Sequence, residues 1–213
     1  GNDLFKLMLD QRMNYSCGYW KNANNLEQSQ VNKLDLACRK LHLKPGMRVL
    51  EIGCGWGSFA KYASQNYDVN VHGVTVSKEQ MYYAERSCKG LNTSFELKDY
   101  RELSKKYDAI VSIGMFEHVR YENYDSFFQM IKRCLNPDGR FVLHTIITFD
   151  EANKKANKEG RFVTKHIFPG GQIPRNDWIL EKVRNNGLNV IHFEGFGGQH
   201  YARTLKKWRE YMI

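Results

Sequence analysis

The chain has 213 residues, 42% apolar and 26% charged: enough to bury one sizeable core, and too balanced for a disordered or fibrous polypeptide. No apolar run approaches the length needed to span a bilayer and no signal-peptide pattern is present, while Cys17, Cys38, Cys54, Cys88 and Cys134 lie without paired spacing, which argues against a zinc site or a disulfide framework and fits a reducing, cytoplasmic setting. The formal net charge of +9 implies an anionic partner, and by itself does not separate nucleic acid from an acidic lipid surface.

Residues 1–25 show no clean period and read as a loop or a pair of short turns around Tyr15-Ser16-Cys17-Gly18-Tyr19-Trp20. Val31, Leu34, Cys38 and Leu41 then recur at helical spacing, and Pro45-Gly46 stops that helix. The pattern that follows predicts strand 47–52, helix 57–66, strand 69–75, helix 77–89, strand 93–98, strand 108–114, helix 122–135 and strand 140–146. Alternation of this kind predicts an α/β fold, a doubly wound, mostly parallel sheet covered by helices. Tyr124, Phe127, Phe128, Ile131 and Leu135 share one helix face and read as core, and Pro137-Asp138-Gly139 reads as a turn into the last of these strands. Residues 147–165, with Lys154, Lys155, Lys158, Arg161 and Lys165, interrupt the alternation where the carboxyl ends of the strands should lie. Ile167-Phe168-Pro169-Gly170-Gly171 follows, then a helix near 175–186, a strand near 188–194 and a basic helix around Leu205–Tyr211.

The most informative stretch is Val49-Leu50-Glu51-Ile52-Gly53-Cys54-Gly55-Trp56-Gly57-Ser58-Phe59, an apolar run that breaks into three alternating glycines and then becomes helical. A strand, a tight turn and a helix N-terminus offer unpaired N–H groups and close backbone approach, so the turn should hold a nucleotide-like molecule. The dinucleotide fingerprint needs a glycine where Ser58 stands. Glu51 at the strand tip would repel a pyrophosphate and welcome a cationic amino-acid tail, which favours S-adenosylmethionine over NAD. A glycine-rich turn with no ligand is the plainer alternative.

Further candidates stand at the other strand ends. Thr75 and Gln80 suit the ribose or amino-acid end of such a cofactor, although Ser77 and Gln80 also form a capping box. Asp99 and Tyr100 suit an adenine, by accepting its amino hydrogen and stacking on the ring. Glu117 is either a catalytic carboxylate or a helix cap, His144 a working imidazole or a hydrogen-bonded core histidine, and Cys17 a reactive thiol or a small buried side chain.

In their order, Tyr15-Ser16-Cys17, Tyr19-Trp20, Leu50 to Gly57, Gly73-Val74-Thr75-Val76-Ser77, Asp99-Tyr100-Arg101, Ser112 to His118, Leu143-His144-Thr145-Ile146, Ile167 to Gly171 and His200-Tyr201 resemble the cyclopropane-fatty-acyl-phospholipid synthases and the related mycolic acid cyclopropane synthases. The resemblance implies a class I S-adenosylmethionine-dependent methyltransferase fold, Rossmann-like, lacking the last strand usual in that sheet. Residues 1–45 would cover the cofactor, 46–146 would form the binding core, 147–175 a lipid-side excursion and 176–213 the rest of the core. It further implies transfer of a methyl group to the cis double bond of an unsaturated phospholipid acyl chain, with closure to a cyclopropane. A bound bicarbonate would act as base, held by residues matching Cys17, Ile113, Glu117, His144 and Tyr201. Tyr15 and Ser16 would join Glu51, Gly53, Gly55, Thr75, Gln80, Asp99 and Tyr100 at the cofactor, and the rings of Tyr15, Phe116 and Tyr201 would steady a cation. The expected partner is lipid in an anionic membrane surface, bound peripherally at its inner face, with no nucleic acid and with a homodimer allowed. A methyltransferase acting on another lipid, a small molecule or RNA, and a non-catalytic lipid-surface module, are the competing readings.

Overall fold

A computed structural model describes residues 2–149 and 171–213. Five parallel strands, β1 (Arg48–Ile52), β2 (Asn70–Thr75), β3 (Thr93–Leu97), β4 (Tyr107–Ile113) and β5 (Leu135–His144), form one sheet in the order β3-β2-β1-β4-β5. The order reverses at β1, which pairs with β2 on one edge and β4 on the other. Ligand crevices in open α/β sheets lie at such a reversal, outside the carboxyl ends of the strands.

The helices are α1 (Asn2–Met8), α2 (Leu26–Lys40), α3 (Ser58–Tyr67), α4 (Lys78–Ser87), α5 (Tyr124–Cys134), α6 (Asn176–Asn185) and α7 (Gly198–Tyr211). Asn25 caps α2 by accepting from the Gln28 N–H, and Ser77 caps α4 by accepting from the Gln80 N–H. One sheet face packs on α2 and α3 through Leu34, Val49, Phe59, Ala63 and Val111, and the other on α5 through Leu50, Ile110, Phe127, Phe128 and Ile131. A third cluster, built on Trp20, Trp56, Trp208, Leu9 and Leu26, fastens the N-terminal segment and α7 to the rim of the sheet.

Several expectations change. Residues 2–8 form a helix where loop was predicted, because Phe5 finds Tyr15 and Trp56 at 5.1 Å and 4.9 Å, contacts that no local periodicity announces. The C-terminal helix begins at Gly198, seven residues before the predicted start. No ladder forms over 188–194: Leu188 reaches the core, while Ile191 and Phe193 stay exposed, since a strand needs a neighbour to pair with. Strand β5 begins earlier than predicted, but its register with β4 jumps from Tyr107↔Leu135 to Ala109↔Arg140, so the Pro137-Asp138-Gly139 turn survives as a loop within that irregularity, with Asp138 at a φ of 62°. Ser77 and Gln80 make only half of a capping box, because the Gln80 side chain accepts from the Thr75 hydroxyl (3.4 Å). Lys154, Lys155, Lys158, Arg161, Lys165 and Ile167 to Gly170 lie outside the described residues.

Phe116, the residue before Glu117, is wholly buried, with its ring 4.5 Å from Tyr124, 5.0 Å from Phe127 and 5.7 Å from Phe128. Phe116→Ala should lower unfolding free energy by about 3–5 kcal/mol, through lost burial and the cavity left behind, as read by urea denaturation.

Candidate functional site

Glu51, Ile113 and His144 end β1, β4 and β5 on the face that packs against α2, as register and alternation require. Glu51 is only 5% exposed, and its Oε2 accepts from the Ala60 N–H at the start of α3 (3.2 Å). Burial pushes its carboxyl up to about 8, against the opposing pull of the Ala60 hydrogen bond and the Lys33 charge. The turn after it carries Gly55 at a φ of +52°, where a Cβ would meet no protein atom within 4 Å, so the space beside that backbone is open to a ligand. At Gly53 a Cβ would come within 2.7 Å of the Met115 side chain, which lies across the turn.

Around this turn stand the remaining cofactor candidates. Thr75 is buried, accepts from the Ser77 N–H (3.2 Å) and donates to Gln80, so the three residues hold one another at the tip of β2. Both carboxylate oxygens of Asp99 take the Arg101 guanidinium (2.9 and 2.6 Å), which with the Arg101 N–H keeps that carboxyl below the usual range. Tyr100 packs edge-on against Phe127 at 5.3 Å, so its ring is committed to the core at one edge. Tyr15 lies between Phe5 and Trp208, at 5.1 and 5.2 Å. Ser16 sits over the end of β4, where a Cβ on Gly114 would come 3.0 Å from its own.

A second group gathers next to the first. Glu117 Oε1 accepts from the Ile146 N–H (2.8 Å), while Oε2 is buried with no hydrogen-bond partner among the described residues, and burial raises this carboxyl. His144 Nδ1 is likewise buried and without a partner, and burial, reinforced by the Lys33 charge, drives the ring down to about 3, so it is neutral at physiological pH. Burial raises the Cys17 thiol and pushes the Tyr201 phenol up to about 12, so both keep their protons. Tyr201 lies within electrostatic reach of Tyr15, Cys17 and Glu117. The set thus joins the Tyr201 O–H, a thiol whose S–H reaches the Gly18 carbonyl (3.4 Å), a neutral imidazole and a carboxyl oxygen without a partner among the described residues: it suits a small anion that both accepts and donates. Phe116 does not share this space, since its ring is spent on the core.

Sequence reasoning missed the side chains that hold these groups in place. Thr204 of α7 accepts from the Gly18 N–H (3.0 Å) and Trp20 Nε1 (2.9 Å), and His200 Nδ1 accepts from the Trp20 N–H (2.8 Å), so α7 locks the segment bearing Cys17. Asp10, also buried, accepts from the Asn14 N–H (2.7 Å) and Nδ2 (2.9 Å), fixing the residue before Tyr15. Lys33 is 2% exposed in α2. Its signal was visible: it falls seven residues after Leu26 and four before Ala37, on the same face of that helix as these two apolar residues.

The family model described as Mycolic acid cyclopropane synthetase matches residues 1–213. Cyclopropane-fatty-acyl-phospholipid synthase of Escherichia coli is 47% identical over 211 residues, covering 99% of this chain and 53% of that protein, so the chain spans about half the length of this relative. The S-adenosylmethionine-dependent methyltransferase UmaA of Mycobacterium tuberculosis is 39% identical over 223 residues, 97% of this chain and 77% of that protein. The fold superposes on the mycolic acid cyclopropane synthase CmaA1 complexed with SAH and CTAB with a TM-score of 0.92 and 35% identity, over 100% of this chain and 79% of that one.

The raised carboxyl of Glu51 makes the ligand-free protein pH-sensitive in a stated direction. Because the folded state keeps this proton up to about 8 while the unfolded chain releases it near 4.5, stability should fall as pH rises across that window. Glu51→Gln should flatten the fall and melt higher than the parent at the upper end, as followed by thermal denaturation from pH 5 to pH 8.

Proposed function

The chain belongs to the mycolic acid cyclopropane synthetase family, and from that premise we propose that it transfers a methyl group from S-adenosylmethionine to the cis double bond of an unsaturated phospholipid acyl chain, which then closes to a cyclopropane. The observation that carries this reading is the pair of buried, unpartnered polar atoms, Glu117 Oε2 and His144 Nδ1, in the group that also contains Cys17 and Tyr201. Orphaned polar atoms are rare inside proteins and mark the place of a missing polar partner.

The cofactor fits the other half of the crevice. Gly55 leaves room for it, Gly53 lets the chain turn beneath it, and Glu51 offers negative charge to an ammonium group. A bound cation beside Glu51 would favour the ionised carboxylate that the empty fold disfavours. Ser16, Tyr15, Thr75, Gln80, Asp99 and Tyr100 complete the rim. S-adenosylmethionine, when bound, supplies an electrophilic methyl.

An alkene attacks a sulfonium methyl without first losing a proton, so no side chain need act as nucleophile. A proton must leave afterwards, and bicarbonate is the base that the Cys17, Ile113, Glu117, His144 and Tyr201 set would hold. Cys17 and Tyr201 keep their protons, Tyr201 would donate and Cys17 would do so on leaving the Gly18 carbonyl (3.4 Å), His144 stays neutral, and Glu117, fixed through Ile146, has its second oxygen buried and unpartnered among the described residues. The rings of Tyr15 and Tyr201 offer π faces to a developing cation. On the outside, α7 presents Arg203, Lys206, Lys207 and Arg209 with exposed Leu205 and Tyr211, which suits an anionic lipid surface, although Lys206 and Lys207 both pair with Glu210 (4.0 and 2.6 Å) and Arg203 lies over the Trp20 ring (4.4 Å). Among the described residues no helix is long and apolar enough to cross a membrane.

Mass spectrometry of lipid vesicles incubated with the intact protein and S-adenosylmethionine tests the reading: acyl chains should gain one methylene and lose the alkene, whereas unchanged lipid would direct attention to an RNA or small-molecule acceptor. Glu117→Gln keeps the Ile146 contact but loses the charge, and should slow turnover by roughly 10² to 10⁴ while S-adenosylhomocysteine affinity holds. Methylated alkene should rise relative to cyclopropane in that variant. Gly55→Val puts its Cβ into the open space beside the turn, on a backbone of φ +52° that valine strains, and should abolish S-adenosylhomocysteine binding in calorimetry while circular dichroism shows the fold retained.

A further inference from the structure

Lys33 has no part in the chemistry above, yet its place in the fold is costly. Its ammonium is buried and donates to Ser16 Oγ (2.7 Å) and Gln30 Oε1 (2.6 Å), both neutral, and among the described residues no carboxylate forms a salt bridge with it. A buried cation with only neutral partners is an unbalanced charge. The acids in its neighbourhood are engaged elsewhere, Asp10 with Asn14 and Arg12, Glu51 with the Ala60 N–H. Cys17 and His144, on the other side, also feel its charge.

The direction of the hydrogen bond to Ser16 is the informative detail. An ammonium has only protons to give, so Lys33 occupies a lone pair of Ser16 Oγ and leaves the hydroxyl hydrogen for another acceptor. Gln30 Nε2 holds the Ser16 carbonyl (3.0 Å), and the close approach of Ser16 to Gly114 confines its side chain over the end of β4. A hydroxyl that accepts from a cation is also a stronger donor, because chained hydrogen bonds polarise one another. Two turns of one helix thus set both the position and the polarity of a serine in the crevice.

We propose that Lys33 is a positioning residue that makes the Ser16 hydroxyl a dedicated donor to a carboxylate-type anion in the crevice. The assignment rests on the reading of this crevice as a site for S-adenosylmethionine and bicarbonate, which supply two such anions: the amino-acid carboxylate of the cofactor and bicarbonate itself. Lys33 balances its own charge against whichever is bound.

The test uses the intact protein with Lys33→Met, Ser16→Ala and the double variant, and three probes: S-adenosylhomocysteine, its decarboxylated analogue, and bicarbonate added back to turnover assays. Loss of a charge-assisted contact should weaken S-adenosylhomocysteine binding roughly tenfold to a hundredfold in Lys33→Met, leave the decarboxylated analogue nearly unchanged, and be no larger in the double variant than in either single one. That pattern assigns the anion to the cofactor. If nucleoside binding holds while the bicarbonate needed for turnover rises by a similar factor, the anion is bicarbonate and the role of Lys33 stands. Equal losses on both nucleosides with an unaltered bicarbonate response, or additive losses in the double variant, overturn it. Should Lys33→Met fail to fold by circular dichroism, Ser16→Ala decides, since unaltered discrimination between the two nucleosides and an unaltered bicarbonate response in that variant refute the proposal. A parent protein that binds no S-adenosylhomocysteine removes the cofactor reading, and this one with it; a parent that binds, with variants that behave alike, removes only the assignment to Lys33.

Discussion

Strand β1 is hydrogen-bonded along both edges, to β2 and β4, and covered on both faces, by α2 and α3 on one side and the α5 layer on the other. A strand enclosed in this way can carry a polar side chain to a ligand only at its tip, where the sheet ends and the chain must turn. Parallel pairing then brings the tips of β2, β3, β4 and β5 to the same edge, and the reversal of strand order at β1 opens a gap there between the helical layers. Every candidate group of the crevice stands at one of these tips or on a segment laid across them.

The electrostatics follow from that enclosure. Glu51, Lys33, Glu117 and His144 are all displaced from their ordinary ionisation by burial first and by neighbours second. A core that spends its apolar surface on stability gains nothing from four such groups, whereas a crevice that exchanges water for a charged ligand needs them preorganised. Their arrangement is divided: the Glu51 end holds a protonated carboxyl beside an open turn, which a bound cation would ionise, and the Glu117 and His144 end offers unmatched hydrogen-bonding atoms. Lys33 lies beneath both, and its charge is felt by members of each group.

The segment that closes the crevice is held by contacts distant in sequence. Thr204 and His200 of α7 take the N–H groups of Gly18 and Trp20, and Trp208 stacks near Tyr15. Gln30 and Lys33 of α2 take Ser16. Tyr15, Ser16 and Cys17 are therefore placed by two helices that the chain reaches soon after and long after them. A loose end at this segment would leave the carboxyl ends of the strands open to water, which weakens each buried polar contact.

The amino-acid sequence alone determined the α/β class, the parallel sheet, the glycine turn after Glu51, Glu117 just past the fourth strand and His144 on the fifth, because alternating periodicities and turn residues are local properties that survive without knowledge of the partner. Only the tertiary structure decided the rest. Helix α1 exists because Phe5 meets Tyr15 and Trp56, the 188–194 stretch forms no ladder because pairing is a property of two strands, and Phe116 turns to the core because three aromatic rings of α5 are there to receive it. Lys33 is the sharpest case: a lysine within an apolar stripe reads as a break in the pattern, and its burial against Ser16 and Gln30 appears only when α2 is laid beneath the loop, since the energy of a buried charge depends on what surrounds it and not on where it falls in the chain.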